Sequence, residues 1–336
     1  MSKVLVTGGA GFIGYNFCKY LIQKGITPVI IDNLCYSYYS IDLKLDRLKS
    51  LGFTHPYFTN NQQYTNLDSS AIFIKADLSE PDILNKVLPT DIDYIVHLGS
   101  HASVPYSLKD PNVYIQKDVV AFQNILNYCV QKNLKHLIFA STSSVYGKDC
   151  PVPFRETDIQ LKPISIYAAS KVCMETLAFA YASTYSLHST ALRFFSVYGP
   201  YGRPDMAMWK FAEALLKDKE ITINGDGTIR RSYTYIDDVV EGIYRAMTQS
   251  DKQEQLFDYY NVGNENSTSI LDVLHTLEDV TKKKGNVVFK ESINVDMPIT
   301  YASMDKFYSI YNYRASTDYI EGATLFVNWL RNYLNR

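Results

Sequence analysis

Cysteine is scarce and unpatterned in this chain. The 336 residues hold five (Cys18, Cys35, Cys129, Cys150 and Cys173), an odd number with no Cys-x-x-Cys pair. That excludes a disulfide framework and argues against a thiolate zinc site; reduced thiols in a cytoplasm are expected, and no bound metal. Long apolar runs are missing too: none approaches the roughly 20 residues of a membrane span. The start, Met-Ser-Lys-Val-Leu-Val-Thr-Gly, reads as a strand rather than a signal peptide. Charge of one sign is not in excess. Lys plus Arg number 33 against 35 Asp plus Glu, a formal net charge of -2. Neither a nucleic-acid surface nor a membrane patch is implied. No internal repeat is visible. What remains, 46% hydrophobic and 20% charged residues, is ordinary for a soluble globular protein. The one excess is tyrosine, 28 residues, for which we have no functional account.

Residues 3 to 6 (Lys-Val-Leu-Val) read as a short buried strand. Thr7-Gly8-Gly9-Ala10-Gly11-Phe12-Ile13-Gly14 follows, then a stretch with helical apolar spacing, Tyr15 to Leu21. Glycines at 8, 11 and 14 allow a tight turn, close approach to a pyrophosphate, and a helix N-terminus aimed at it. Phe12 and Ile13 fall inside the same loop. A second apolar run, Pro28 to Ile31, ends in Asp32 and Asn33. An acid there suits a ribose diol and repels a 2′-phosphate, which favours NAD over NADP. A glycine turn without a ligand is the bland alternative. The order strand, glycine loop, helix, strand and Asp speaks against it.

Tyr167 and Lys171 stand four residues apart in Ser165-Ile166-Tyr167-Ala168-Ala169-Ser170-Lys171. Helical spacing puts both on one face. An ammonium beside a phenol, whose free pKa is about 10, favours the phenolate and makes it a usable base. Such a group can take a proton from an alcohol while a hydride leaves the same carbon. With 28 tyrosines, chance matches to Tyr-x-x-x-Lys are expected, so the pattern gains weight only from the glycine loop.

Strands alternate with helices through the first half: Ala71 to Ala76, Asp93 to Leu98 and Leu137 to Ser141 are strand-like, and Val113 to Gln131 helix-like. This rhythm predicts a Rossmann-type, doubly wound parallel α/β sheet. Ligands in such sheets bind at the carboxyl ends of strands. Asp77 and Leu78 follow one such end; Leu98, Gly99 and Ser100 follow another. Residues 54–70 are polar and turn-rich and read as a mobile surface loop. Near Gly199 the pattern changes. A smaller mixed α/β lobe is expected from 175–235 and 260–336. The first domain then spans 1–174 and receives roughly 236–259.

Five segments together resemble the extended short-chain dehydrogenase/reductase family, in particular its nucleotide-sugar epimerases: Thr7 to Gly14, Ser141 to Gly147, Tyr167 to Lys171, Arg193 to Pro200, and Tyr235 to Asp238. The resemblance spans essentially the whole chain. It implies NAD as cofactor and an isomerase working through a transient 4-keto sugar. Tyr167 would take the proton from the 4-hydroxyl. Thr142 would hydrogen-bond the 4-oxygen, the bland alternative being a strand-end cap. Lys171 would also contact the nicotinamide ribose. Relatives that dehydrate or decarboxylate resemble Thr-Asp-Glu or Thr-Ser-Glu after the Thr. Here Thr142-Ser143-Ser144 offers no carboxyl group, and epimerisation needs none.

The run Gly199-Pro200-Tyr201-Gly202-Arg203-Pro204-Asp205 resembles the UDP-glucuronate 4-epimerases, in which the Arg lies near the sugar's C6 carboxylate. An Arg203–Asp205 surface pair is the bland alternative. Arg231 matches the position that neutralises the pyrophosphate, against a solvated Arg230-Arg231 pair. By the same resemblance, Ile223 falls in the stretch that would run beside the base, and Asp296 where the family contacts the nucleotide. Some residues depart from the glucuronate enzymes: Val104-Pro105, Ser196 for an expected Thr, Tyr201 for Trp, and Ile299 for Arg. His97 and His101 are expected to pack, with no acid partner evident nearby. The leading reading is conversion of UDP-glucuronate to UDP-galacturonate for surface polysaccharide. UDP-N-acetylglucosamine or UDP-glucose 4-epimerisation is the alternative. A third reading is a silent NAD-binding module, against which Thr142, Tyr167 and Lys171 all stand. The family implies a homodimer through helices near 113–131 and 167–185, with Val172, Leu177, Ala180 and Tyr181 on the second.

Overall fold

The computed structural model describes residues 3–35, 39–89, 91–158, 162–291 and 298–335. The chain divides into two compact units. The first comprises Met1–Gly147, Leu161–Arg193 and Ile243–Tyr260; the second comprises Lys148–Gln160, Phe194–Gly242 and Asn261–Arg336.

The first unit is built on an eight-stranded sheet. Its strands are β1 (Lys3–Thr7), β2 (Thr27–Asp32), β3 (Gln63–Thr65), β4 (Ile72–Lys75), β5 (Tyr94–His97), β6 (His136–Thr142), β7 (Ser189–Phe194) and the strand Phe257–Val262. Starting from Phe257–Val262, the order runs β7, β6, β5, β1, β2, β4, β3. The β1–β2, β1–β5, β2–β4 and β5–β6 pairings are parallel, as the alternating apolar pattern predicts. The order reverses between β1 and β5. That places a ligand crevice at their carboxyl ends. Val4, Leu5 and Val6 of β1 and Val29, Ile30 and Ile31 of β2 are fully buried. Continuous apolar runs of this kind belong to strands covered on both faces.

Two local expectations need correction. Residues 54–70 run over the surface as expected, but they are not all irregular loop. They contain β3, antiparallel to β4 with Tyr64 opposite Phe73, and they bury Phe58 and Tyr64. Phe58 packs edge-on to Phe73 at 4.7 Å between centroids. The aromatic side chains outweigh the polar composition that surrounds them. The predicted helix over 113–131 is interrupted. Pro111–Tyr114 and Ala121–Lys132 are α-helical, and Ile115–Val120 between them is a π-turn.

Among the described residues, the second unit has three small sheets: Arg230–Arg231 between Thr268–Ser269 and Ile299–Thr300, Tyr233–Tyr235 with Ser196–Tyr198, and Asn286–Lys290 with Glu220–Asn224. The helix Ile236–Thr248 begins within the Tyr235 to Asp238 segment. Asp238 is buried and accepts hydrogen bonds from Tyr313 Oη (3.0 Å) and the Thr317 amide (3.0 Å).

Candidate active site

The glycine loop closes on backbone. Gly8 has φ +66°, and a Cβ there would meet Gly99 Cα at 2.6 Å. The ends of β1 and β5 therefore touch through their main chains. Thr7 Oγ1 joins the same junction, 2.7 Å from His97 Nδ1 and accepting the Gly99 amide at 3.2 Å. A Cβ on Gly14 would lie 2.3 Å from Gly8 O, so only glycine lets the helix Phe12–Gln23 sit this close to the loop. That helix has Gly11 at its N-cap with no side-chain cap and no acid in its first turn, which leaves its positive end for an anion. Phe12 is buried and Ile13 half-buried. At the end of β2, Asp32 is buried; its carboxylate accepts the amides of Ala10 (3.2 Å) and Leu34 (2.8 Å). The cradle and the strand-end acid fit a dinucleotide.

Other cofactor candidates line the same edge. The Asn33 side chain accepts the Cys35 amide. Asp77 accepts from Lys117 and Ser79, contacts that hold its carboxyl below the usual range against the opposing effect of burial. Leu78 is buried. The Leu98 amide donates to Thr7 O.

The proton-transfer group sits beside this crevice. The helix Ile166–Tyr185 starts at Ser165, whose Oγ accepts the Ala168 amide, so Tyr167 lies in its first turn. Its ring meets Tyr114 edge-on at 6.2 Å. One turn later Lys171 is 1% exposed. Its Nζ donates to Ser100 Oγ at 2.9 Å and Ala140 O at 3.0 Å. Burial pushes its pKa down, while Asp118 and Glu175 oppose the shift. Thr142 ends β6. Its Oγ1 accepts the Ser144 amide (3.2 Å) and lies 3.3 Å from Ser144 Oγ, capping the short turn Ser143–Tyr146. The capping role is therefore present in the structure.

Three partners were not found by sequence reasoning. Lys44 pairs with Asp32 at 3.0 Å. Asp118, fully buried on the π-turn, accepts the His101 amide (2.9 Å) and Ser170 Oγ (3.2 Å). His101 thus does have an acid beside it, with Nδ1 4.0 Å from Asp118 Oδ1, and the expectation of none is corrected. Glu175 pairs with Arg193 at 2.7 Å. For Asp118 and Glu175 the signal in the sequence was an acid within a helical stretch; Lys44 gave none. His97 packs as expected, stacked on Phe122 at 5.5 Å and held neutral by burial, its pKa pushed down to about 3.

In the second unit, the Arg203 guanidinium grips Asp205 through two bonds, Nε to Oδ1 at 3.0 Å and Nη2 to Oδ2 at 2.6 Å. Both side chains are mostly shielded, at 16% and 23% exposure. Tyr201, at φ 59°, packs on Trp329 at 4.8 Å and shapes the loop before Arg203. Arg231 and Arg230 are not equivalent. Arg230 is tied to Ser267, whereas Arg231 Nη1 donates to the Arg230 carbonyl at 2.9 Å. The Ser196 amide donates to Ser232 O. Ile223 is 1% exposed, so its side chain faces the core while Thr222 and Asn224 face out. Asp296 lies outside the described residues. Among those residues, no group of His, Cys, Asp and Glu side chains could hold a metal ion, and no helix is long and apolar enough to cross a membrane.

A doubly wound sheet with a glycine cradle, a strand-end acid and a Tyr–Lys pair defines a dinucleotide-dependent protein of the dehydrogenase/reductase class. Comparison with known proteins makes this specific. The sequence profile of the NAD dependent epimerase/dehydratase family matches residues 4–263, and the chain belongs to that family. It is 35% identical to Protein CapI of Staphylococcus aureus over 99% of this chain and 100% of that protein. It is 33% identical to the probable UDP-glucuronate 4-epimerase of Rhizobium meliloti over 98% of each. The UDP-glucuronic acid 4-epimerase of Bacillus cereus, solved with UDP-glucuronic acid and NAD, aligns with TM-score 0.88 at 32% identity, covering 98% of this chain and 99% of that one.

Proposed function

We propose that the protein is an NAD-dependent UDP-sugar 4-epimerase, an isomerase that converts UDP-glucuronate to UDP-galacturonate. The observation that carries the chemistry is Lys171, a buried ammonium one helical turn from Tyr167. Its charge favours the Tyr167 phenolate, which takes the proton from the sugar 4-hydroxyl. The chemistry that NAD supplies when bound is reversible hydride exchange with C4. Thr142 Oγ1, fixed at the end of β6, holds the 4-oxygen. Ser143 and Ser144 present hydroxyls and no carboxyl group, so this segment lacks the acid–base pair that dehydration needs. The 4-keto sugar turns about its pyrophosphate linkage and is reduced on its other face. Gly8, Gly11, Phe12, Ile13, Gly14, Asp32, Asn33, Asp77, Leu78, Leu98, Gly99 and Ser100 form the cofactor side. Ser196, Arg231 and Asp296 hold the nucleotide, and Ile223, whose side chain faces the core, contributes through its main chain beside the base.

The uronate assignment is supported by the full-length likeness to glucuronate 4-epimerases and by Arg203, a shielded guanidinium whose plane Asp205 fixes. A C6 carboxylate pairs with it. A neutral-sugar reading has its own support, because Asp205 already neutralises Arg203. Incubation with UDP-glucuronate and no added cofactor, followed by proton NMR, is expected to yield UDP-galacturonate without a pentose product. Arg203→Ala should lower kcat/KM for UDP-glucuronate by about 10²-fold, the loss of a charged hydrogen-bonded pair. It should leave UDP-glucose nearly unchanged. Equal activity on both sugars after the change would transfer the assignment to neutral sugars.

The protein works in the cytoplasm as a homodimer supplying surface polysaccharide synthesis. Support for the dimer comes from exposed apolar residues on the helix Ile166–Tyr185, where Phe179 is 61% and Tyr185 56% exposed, and from Ile115 at 49%. Light scattering at the mass of one chain would remove that part of the proposal.

A further inference from the structure

The helix that carries Tyr167 and Lys171 is held by an ion pair that does not touch substrate. Glu175, one turn beyond Lys171, receives three hydrogen bonds: Arg193 Nε (2.9 Å) and Ser141 Oγ (2.5 Å) on one oxygen, Arg193 Nη2 (2.7 Å) on the other. The pair is 1% and 7% exposed at its side chains. The Arg193 guanidinium also lies over the rings of Tyr146 (4.7 Å) and Tyr259 (4.0 Å). One carboxylate therefore links three elements. Its own helix bears Tyr167 and Lys171, Ser141 precedes Thr142 on β6, and Arg193 comes from β7. A buried bidentate pair is expensive to desolvate, and an apolar pair of similar volume often serves stability as well or better. Its presence here points to position rather than to stability.

We propose that Glu175 is a positioning residue of the active site, tying the helix of Tyr167 and Lys171 to the strand of Thr142 and placing a carboxylate one turn from Lys171. The inference rests on the epimerase reading for its kinetic consequences but not for its electrostatic ones. Lys171 faces His97 from β5, Asp118 from the π-turn and Glu175 from its own helix. Both carboxylates hold the lysine's pKa up against burial, and Glu175 is the one that can be neutralised without touching the π-turn.

The test compares Glu175→Gln with Ser141→Ala in the full chain carrying NAD. Glu175→Gln keeps the shape and removes the charge. Lys171 should then deprotonate at lower pH, which moves the alkaline limb of the kcat profile downward by about one pH unit and lowers kcat about tenfold, with KM little changed. Ser141→Ala removes only the tie to the Thr142 strand and should lower kcat several-fold without moving the limb. The Lys171 resonance in lysine-labelled protein, assigned with Lys171→Met, reads the same pKa without turnover, whichever sugar is used. If Glu175→Gln folds and leaves both the Lys171 titration and kcat as in the unaltered protein, the proposal is overturned. Should Glu175→Gln not fold, Ser141→Ala decides: an unchanged kcat overturns the positioning role.

Discussion

Asp32 at the end of β2 meets a cation twelve residues further along, and the pairing changes what the acid can reject. An isolated carboxylate repels a 2′-phosphate strongly. With Lys44 at 3.0 Å the local charge is nearly balanced. Burial works against the lysine's charge, yet Asp32, Cys35 and Tyr39 together raise its pKa above the ordinary value. Removing the cation should therefore sharpen selection. Lys44→Met is expected to raise the ratio of NAD to NADP affinity about tenfold, roughly 1.4 kcal/mol, in fluorescence titrations of cofactor-stripped protein. An unchanged ratio would mean that Asp32 does not set the preference. The same logic of one group acting through its neighbour applies to Tyr167. Tyr167→Phe keeps the ring contact with Tyr114 and removes the acid–base group. We expect kcat to fall about 10²- to 10⁴-fold with NAD still bound at full occupancy by absorbance. A loss below tenfold would point to a different base.

Elements differ in how openly their sequences announce them. β1, the glycine loop and the helix after it were legible because each step has a local cause: an apolar run, glycines where Cβ atoms would collide, and helical spacing from Tyr15 on. The Tyr167–Lys171 helix was legible for the same reason, with Ser165 as its cap. The π-turn Ile115–Val120 was not, because one extra residue in a helix leaves the apolar spacing on either side nearly intact. Its effect is to bring Asp118 inward beneath Ser170 and Lys171, a contact 52 residues apart in sequence for Ser170. β3 was hidden by its polar surroundings, since a three-residue edge strand shows no periodicity. Arg203 and Asp205, two residues apart, were visible as a possible pair. Of all these elements the glycine loop makes the sharpest demand. In Gly14→Ala the new methyl would sit 2.3 Å from Gly8 O, and overpacking of this kind costs about 1–3 kcal/mol. The helix would have to retreat from the loop, so the purified variant should carry little NAD by its 260 nm absorbance. Full NAD content would show that the loop can yield.

At the scale of the whole molecule, acid sensitivity follows from histidines buried in the same unit: His97 and His136 carry the large shifts, and burial also lowers His101, with Asp118 opposing. His97 sits on β5 against Thr7, and His136 opens β6 with Nε2 2.8 Å from Thr190 Oγ1, which in turn donates to Gln253. Burial pushes both pKa values down to about 3, with Lys171 adding to the effect at His97 and His188 at His136. The folded values lie below the unfolded value of about 6.5. The unfolded chain therefore binds more protons as pH drops, and stability is lost from about pH 6.5 downward until the folded values are reached. At pH 5 the loss is about 2 kcal/mol per histidine, or about 4 kcal/mol together. Asp118 works the other way. Its carboxyl is pushed up by burial against the pull of Lys171 and its hydrogen bonds, so acidification relieves its charge. Asp77, held low by Lys117 and Ser79, begins to matter only below about pH 4. Between pH 7 and 5 the histidines dominate, and the thermal midpoint of this unit should fall by about 10 °C, at roughly 2–4 °C per kcal/mol. His136→Gln retains an acceptor and a donor near Thr190 without a titrating ring, and it lies away from the proton-transfer group. It should remove about 2 kcal/mol of the loss at pH 5 while leaving turnover near that of the unaltered protein. Calorimetry at pH 7, 6 and 5 on both proteins checks this, and equal slopes would remove His136 from the acid sensitivity.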